Sequence, residues 1–170
     1  MKISLAMLAV AATLGLTACS NPDRFGQGGG DGFGAGSLTQ GSLGSPSDPT
    51  SIAHFQQVIG DRVLFAVDES GLAPEAMAIL ARQAAWLSTS DRSITIEGHA
   101  DERGTREYNL ALGARRAAAV QDYLIAQGIR ASRIRTVSYG KERPAEVCST
   151  ESCYSVNRRA VTVVAAGLGS

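Results

Sequence analysis

The stretch from Ile94 to Ala118 constrains this chain more than any other. It dictates a strand, a tight polar loop and a helix in immediate succession. Ile94, Thr95, Ile96 and Glu97 form a short β-branched run, of the kind that fits a half-buried pleated surface. Gly98 and Gly104 bracket a loop dense in charge, carrying His99, Asp101, Glu102 and Arg103. Thr105 is a good N-cap, because its hydroxyl can satisfy an orphan N–H of the first turn. The helix it opens runs to about Gln127, where Gly128 supplies the stop. Charge therefore collects at the C-terminal end of a strand beside a helix N-terminus. A ligand carrying a carboxylate can dock there without catalytic machinery.

The elements around this stretch define a fold class. Arg62 to Val67 reads as a first strand and Asp68 to Gly71 as a turn. Pro74 to Leu87 reads as a helix with proline at its first position. Its expected apolar stripe is Met77, Leu80, Ala81, Ala84 and Leu87, with Trp86 as an edge anchor. Arg92 to Glu97 is the second strand, Thr105 to Gln127 the second helix, Ile134 to Ser138 a third strand and Arg158 to Val164 the last. The order β-α-β-α-β-β implies an α+β sandwich with its helices packed on one mixed sheet. Apolar residues make up 44% of the 170, enough for one core of about a hundred residues. The formal net charge is zero, so no basic face advertises nucleic acid.

The first 51 residues read as appendages. Residues 1–18 form a targeting segment. Lys2 is its positive end, and Ile3 to Leu16 is an apolar run too short for the roughly 20 residues that span a bilayer. Leu16-Thr17-Ala18-Cys19 resembles a bacterial lipobox, which makes Cys19 the acylated N-terminus of the mature chain. Several acyl chains, at ~0.8 kcal/mol per buried CH₂, hold a protein firmly on a membrane. Ser20 and Asn21 follow Cys19, with no Asp next to it, which in enterobacteria favours sorting to the outer membrane. Residues 19–51 are rich in Gly and Ser and read as a flexible linker, with a typical span on the order of 30 Å. The domain proper is expected over 52–170.

Two further cysteines, Cys148 and Cys153, remain. In an exported chain such a close pair reads as a disulfide. A metal site is the rival, and it fails on ligand count, since His54 and His99 lie far off in sequence. No metal or cofactor is expected.

The binding residues follow from helical spacing. Asn109, Leu112 and Arg116 lie three and four apart and share one face. Side chains on that face point toward the helix N-terminus, so Arg116 can reach back toward Asp101. A carboxylate and a guanidinium a few ångströms apart suit a zwitterion, Asp101 taking an ammonium and Arg116 forking onto a carboxylate. A structural salt bridge between the two is the bland alternative. His99, with Glu97 and Asp101, tempts an enzymatic reading as a cell-wall hydrolase. No Gly-x-Ser-x-Gly elbow or Ser-x-x-Lys accompanies it, so His99 reads as a hydrogen-bonded residue holding the loop, and the chain as a non-enzyme.

Gly98-His-Ala-Asp-Glu-Arg-Gly104 resembles the signature of the OmpA-like peptidoglycan-binding domain, in the form seen in peptidoglycan-associated lipoproteins. Asn109, Arg115-Arg116-Ala117, Val137-Ser-Tyr-Gly-Lys-Glu142 and Asn157-Arg-Arg-Ala160 recur in order, so the likeness covers roughly Val63 to Val164. The resemblance implies that Asp101 and Arg116 hold the free end of diaminopimelate in peptidoglycan, and that Asn109 bonds the ligand or the loop. Of Arg158 and Arg159, whose side chains face opposite ways at a strand start, Arg159 is the one expected at the site. Phe65 to Asp68 resembles the family's Phe-Asp-x-Asp segment, with Ala66 in place of the first acid; Phe65 is expected in the core. The resemblance further implies an outer-membrane lipoprotein facing the periplasm. Its partners would be peptidoglycan, TolB and other Tol proteins, with a role in envelope integrity and division. A wall-anchoring lipoprotein outside the Tol system would look similar. The resemblance does not supply the cysteine pair.

Overall fold

The computed structural model describes residues 43–166. The expected signal segment, Cys19 and most of the linker lie outside these residues. The elements are α1 (Ile52–His54, continued as a π-helical turn Phe55–Gly60), β1 (Arg62–Leu64), α2 (Pro74–Ser88), β2 (Ile94–His99), α3 (Arg106–Ala126), β3 (Ile134–Gly140), α4 (Glu151–Asn157) and β4 (Arg159–Val164). The four strands form one sheet in the order β1-β4-β2-β3. The β2–β3 pair is parallel, while β4 runs antiparallel to both β1 and β2. The fold is the expected α+β class with a mixed sheet. It carries two helices more than β-α-β-α-β-β, for α1 precedes the first strand and α4 stands between the last two.

The helices α2 and α3 pack on the sheet through one core. Leu80, Leu87, Val63, Ile96 and Leu124 are almost completely buried in it, as is Phe55, whose ring lies 4.8 Å from that of Trp86. The α2 stripe is rotated from the one expected. Ala76, Leu80, Gln83, Ala84, Trp86 and Leu87 are buried, while Met77 and Ala81 face out. Gln83 explains the rotation: its amide donates to the Gly60 carbonyl at 2.7 Å and accepts from the Thr162 hydroxyl at 2.8 Å. A buried polar side chain with its bonds made is tolerated in a core, and an apolar pattern passes over it.

Residues 43–51 belong to the folded body, ahead of the expected boundary at 52. Ser51 caps α1 by accepting from the His54 N–H, and its hydroxyl donates to the Asp48 carbonyl. The Trp86 indole donates to the Pro49 carbonyl at 2.7 Å, and Leu43 packs against the core.

Two glycines set how closely α3 lies on β2. A Cβ built on Gly98 would stand 1.9 Å from the carbonyl oxygen of Gly113, and one on Gly113 would stand 2.8 Å from that of Gly98. Backbone meets backbone there, and no side chain fits between. Thr105 caps α3 as expected, accepting from the Tyr108 N–H.

Cys148 and Cys153 are bonded, with Cα atoms 5.8 Å apart across a separation of five residues. Closing so short a loop is worth about 2 kcal/mol in the chain-entropy description. Peptide mapping of the unreduced chain is expected to find both cysteines in one fragment that resists alkylation. Two alkylated thiols there would reject the bond. The Cys148→Ser/Cys153→Ser pair is expected to lower stability by about 2 kcal/mol or less.

Candidate functional site

The loop after β2 and the first turns of α3 enclose a pocket of about 210 Å³. Its walls include Asp101, Arg103, Tyr108, Asn109, Arg116 and Arg158, with Val67 and Asp68 from the turn after β1. Helical spacing thus brings Asn109, Leu112 and Arg116 together as expected, and all three are buried.

Arg116 is the largest fully buried side chain among the described residues. Its Nε donates to the Glu69 carbonyl at 2.8 Å, Nη1 to His99 at 2.8 Å and Nη2 to Ala66 at 3.1 Å. The guanidinium also lies over the Phe65 ring, 5.1 Å from its centroid. It therefore ties the turn after β1 to the end of β2. Its partners are carbonyls, so the Asp101–Arg116 salt bridge weighed above does not form. Burial pushes its pKa down to about 10, against which the Asp101 charge works in the opposite sense. The group stays charged at neutral pH. One N–H on each terminal nitrogen is left uncommitted by these three bonds, and the side chain lines the pocket.

Asp101 is paired instead with two other arginines. Arg103 Nη2 donates to its Oδ2 at 2.5 Å and Arg158 Nη1 at 3.2 Å, while the Arg103 N–H reaches Oδ1 at 3.2 Å. Burial pushes the carboxyl up, but the bonds from Arg103 and Arg158 outweigh it and hold Asp101 below the usual carboxylate range. Asn109 donates to the Arg103 carbonyl at 2.7 Å and so pins the loop to the helix. The Lys141 ammonium adds a second tie, donating to the Gly104 carbonyl at 2.7 Å.

The strand-start arginines are placed the other way from the expectation. Arg158 lines the pocket, and Arg159 does not. Arg159 pairs in register with Leu64 and sends its guanidinium to the Arg143 carbonyl, beside Glu97. Alternation along a strand allows only one of two neighbours on a given side, and the sequence does not say which. Asp68 and Tyr108 were not anticipated at the site. Their side chains bond to each other at its rim. Asp68 also holds a positive φ of 59°, uncommon for a residue other than glycine; its presence in the Phe65–Asp68 segment was the available signal.

His99 departs from its expected role as well. It is buried, yet neither ring nitrogen meets a hydrogen-bond partner among the described residues. The ring packs 5.6 Å from that of Tyr139. Burial, reinforced by Arg159 and Arg143, pushes its pKa down to about 4. His99 is a neutral, packed ring and is not among the side chains that line the pocket with Asp101. No group of three or more metal-ligating side chains occurs among the described residues.

The sheet, the helix layer and the loop that joins them define an OmpA-like α+β domain. The OmpA family matches residues 64–158. A peptidoglycan-associated lipoprotein of Rhizobium meliloti is 49% identical over 166 residues, covering 96% of this chain and 89% of its own. One from Pseudomonas aeruginosa is 45% identical over 129 residues, covering 75% and 72%. Among solved structures, the peptidoglycan-associated lipoprotein of Burkholderia pseudomallei superposes with a TM-score of 0.64 at 35% identity, over 73% of this chain and 99% of its own. The cell wall anchor of the Pseudomonas aeruginosa T6SS gives a TM-score of 0.53 at 29% identity, over 60% and 75%. The chain belongs to the OmpA family, and within it to the peptidoglycan-associated lipoproteins.

Proposed function

We propose that this chain binds peptidoglycan non-covalently and anchors the outer membrane to the cell wall, without catalysing a reaction. The observation that carries the reading is the pocket in which Asp101, Asn109 and Arg116 meet. A buried carboxylate lies beside a buried guanidinium with N–H groups to spare, which suits the free amino–carboxyl end of diaminopimelate. Asp101 accepts the ammonium, and Arg116 donates to the carboxylate. Arg158 takes the supporting place first given to Arg159. The relatives named peptidoglycan-associated lipoproteins, and the cell wall anchor among the solved structures, support the wall as the ligand.

The N-terminal end completes the proposal. Cys19 carries the acyl chains, residues 1–18 are removed, and the residues between Cys19 and the folded body form the tether. The head then faces the periplasm from the outer membrane. Partnership with TolB and other Tol proteins, and a part in division, extend the same proposal. Purified sacculi should retain the chain in a pull-down, and TolB should change the amount retained. Absence of retention would sink the wall reading. Absence of any TolB effect would place the chain outside the Tol system. Mass spectrometry of the mature N-terminus should find a lipidated Cys19; cleavage elsewhere would reject the anchor.

A further inference from the structure

The arginines that hold Asp101 are themselves held from the other side. Arg158 Nη2 donates to Glu151 Oε1 at 2.5 Å, and Arg103 Nη1 lies 3.7 Å from Glu151 Oε2. Asp101, Arg103, Glu151 and Arg158 thus close a ring of alternating charge. Glu151 is the first residue of α4 and lies inside the loop closed by Cys148 and Cys153. The same segment touches the binding loop twice more. Ser149 donates to Glu102 at 3.4 Å, and Arg103 stacks over the Tyr154 ring at 4.6 Å.

We propose that Glu151, held in place by the Cys148–Cys153 bond, is a positioning residue for ligand binding. It offsets the second arginine charge beside Asp101 and so leaves the Asp101 carboxylate able to take a cationic group. The inference rests on the reading of Asp101 as the ammonium acceptor. The ring contains two positive and two negative groups. Without the Glu151 charge, one carboxylate faces two guanidinium groups, and the site repels an ammonium. Arg158 is buried while Glu151 is 60% exposed. Losing the Glu151 charge therefore disturbs the site's field more than the core. The disulfide enters because α4 has only seven residues, too few to be stable by themselves. Opening the bond frees Glu151 to leave the ring.

The test is binding of the full-length chain, in detergent, to purified sacculi, with circular dichroism and thermal unfolding of each variant. Glu151→Gln is expected to weaken binding about tenfold at low salt, with a small change in melting temperature. The loss should shrink as salt rises, because charge repulsion at a partly exposed site is screened within about 10 Å at 0.1 M. Adding Arg103→Gln restores the charge balance and should recover part of the lost affinity, which a purely structural role of Glu151 does not predict. Cys148→Ser/Cys153→Ser should also bind more weakly, and Glu151→Gln in that background should add little, since the two changes act on one interaction. Parent-like binding by Glu151→Gln, beside a weak Asp101→Ala, overturns this inference and leaves the site standing. Parent-like binding by Asp101→Ala overturns the site and this inference with it. A Glu151→Gln loss that ignores salt and is not recovered by Arg103→Gln also overturns it.

Discussion

Arg116→Ala is expected to destabilise the domain by about 3–5 kcal/mol, on top of any loss of binding. Helical spacing alone presents Arg116 as a ligand contact or as a partner of Asp101. Its surroundings give it a structural role as well. Truncation leaves the Ala66, Glu69 and His99 carbonyls without their donor, at about 1–3 kcal/mol for each that water cannot reach. It also opens a cavity beneath Phe65. Total stabilities of roughly 5–15 kcal/mol leave such a variant marginal. Arg116→Lys should recover less than half, since a single ammonium cannot serve three diverging carbonyls. Urea unfolding should show a lower midpoint at unchanged slope, the mark of lost stability rather than altered compactness. A midpoint like the parent's for Arg116→Ala would refute the structural role.

Asp101→Ala is expected to remain folded and to lose sacculus binding by roughly thirtyfold or more. Removing one partner of a desolvated charged contact costs about 2–5 kcal/mol, at ~1.4 kcal/mol per decade of affinity. Arg158 keeps Glu151 as a partner in this variant, which limits the charge stranded in the interior. The same carboxylate gives binding a pH limit. Its folded-state pKa is depressed, so the stability it contributes is complete above the ordinary Asp value and is lost as pH falls through the lower folded one. Binding should persist through mildly acidic pH and fail only below the usual carboxylate range. Binding isotherms across pH check both points. An Asp101→Ala variant that binds sacculi like the parent, or a loss of parental binding already near neutrality, would contradict the assignment.

The residues that the sequence made legible are those bound by a strict period. Asn109, Leu112 and Arg116 follow helical spacing, and Thr105 marks where that spacing starts. Their convergence on Asp101 therefore needed little tertiary knowledge. What stayed hidden depended on partners distant in the chain. The carbonyls that occupy Arg116 come from residues 66, 69 and 99, and no local pattern announces them. The choice between Arg158 and Arg159 turns on where β4 begins, a matter of one residue. The helix α4 escaped because Glu151 to Asn157 has no apolar stripe; its N-terminal residue is fixed by ion pairs and its first turn by the disulfide. The rotated face of α2 hinges on Gln83, a polar residue whose partners are Gly60 and Thr162.

The contact between Gly98 and Gly113 has a kinetic meaning. The strand that leads into the Asp101 loop and the helix that carries Asn109 and Arg116 touch backbone to backbone, so the two walls of the pocket form one stiff body. They have no hinge between them to open for a ligand and close behind it. On the proposed function, a wall peptide would meet a preformed recess, and little ordering entropy would be spent at the moment of capture. Encounter with the polymer then sets the pace of association. Dwell time would then rest on the two charged contacts proposed inside the pocket.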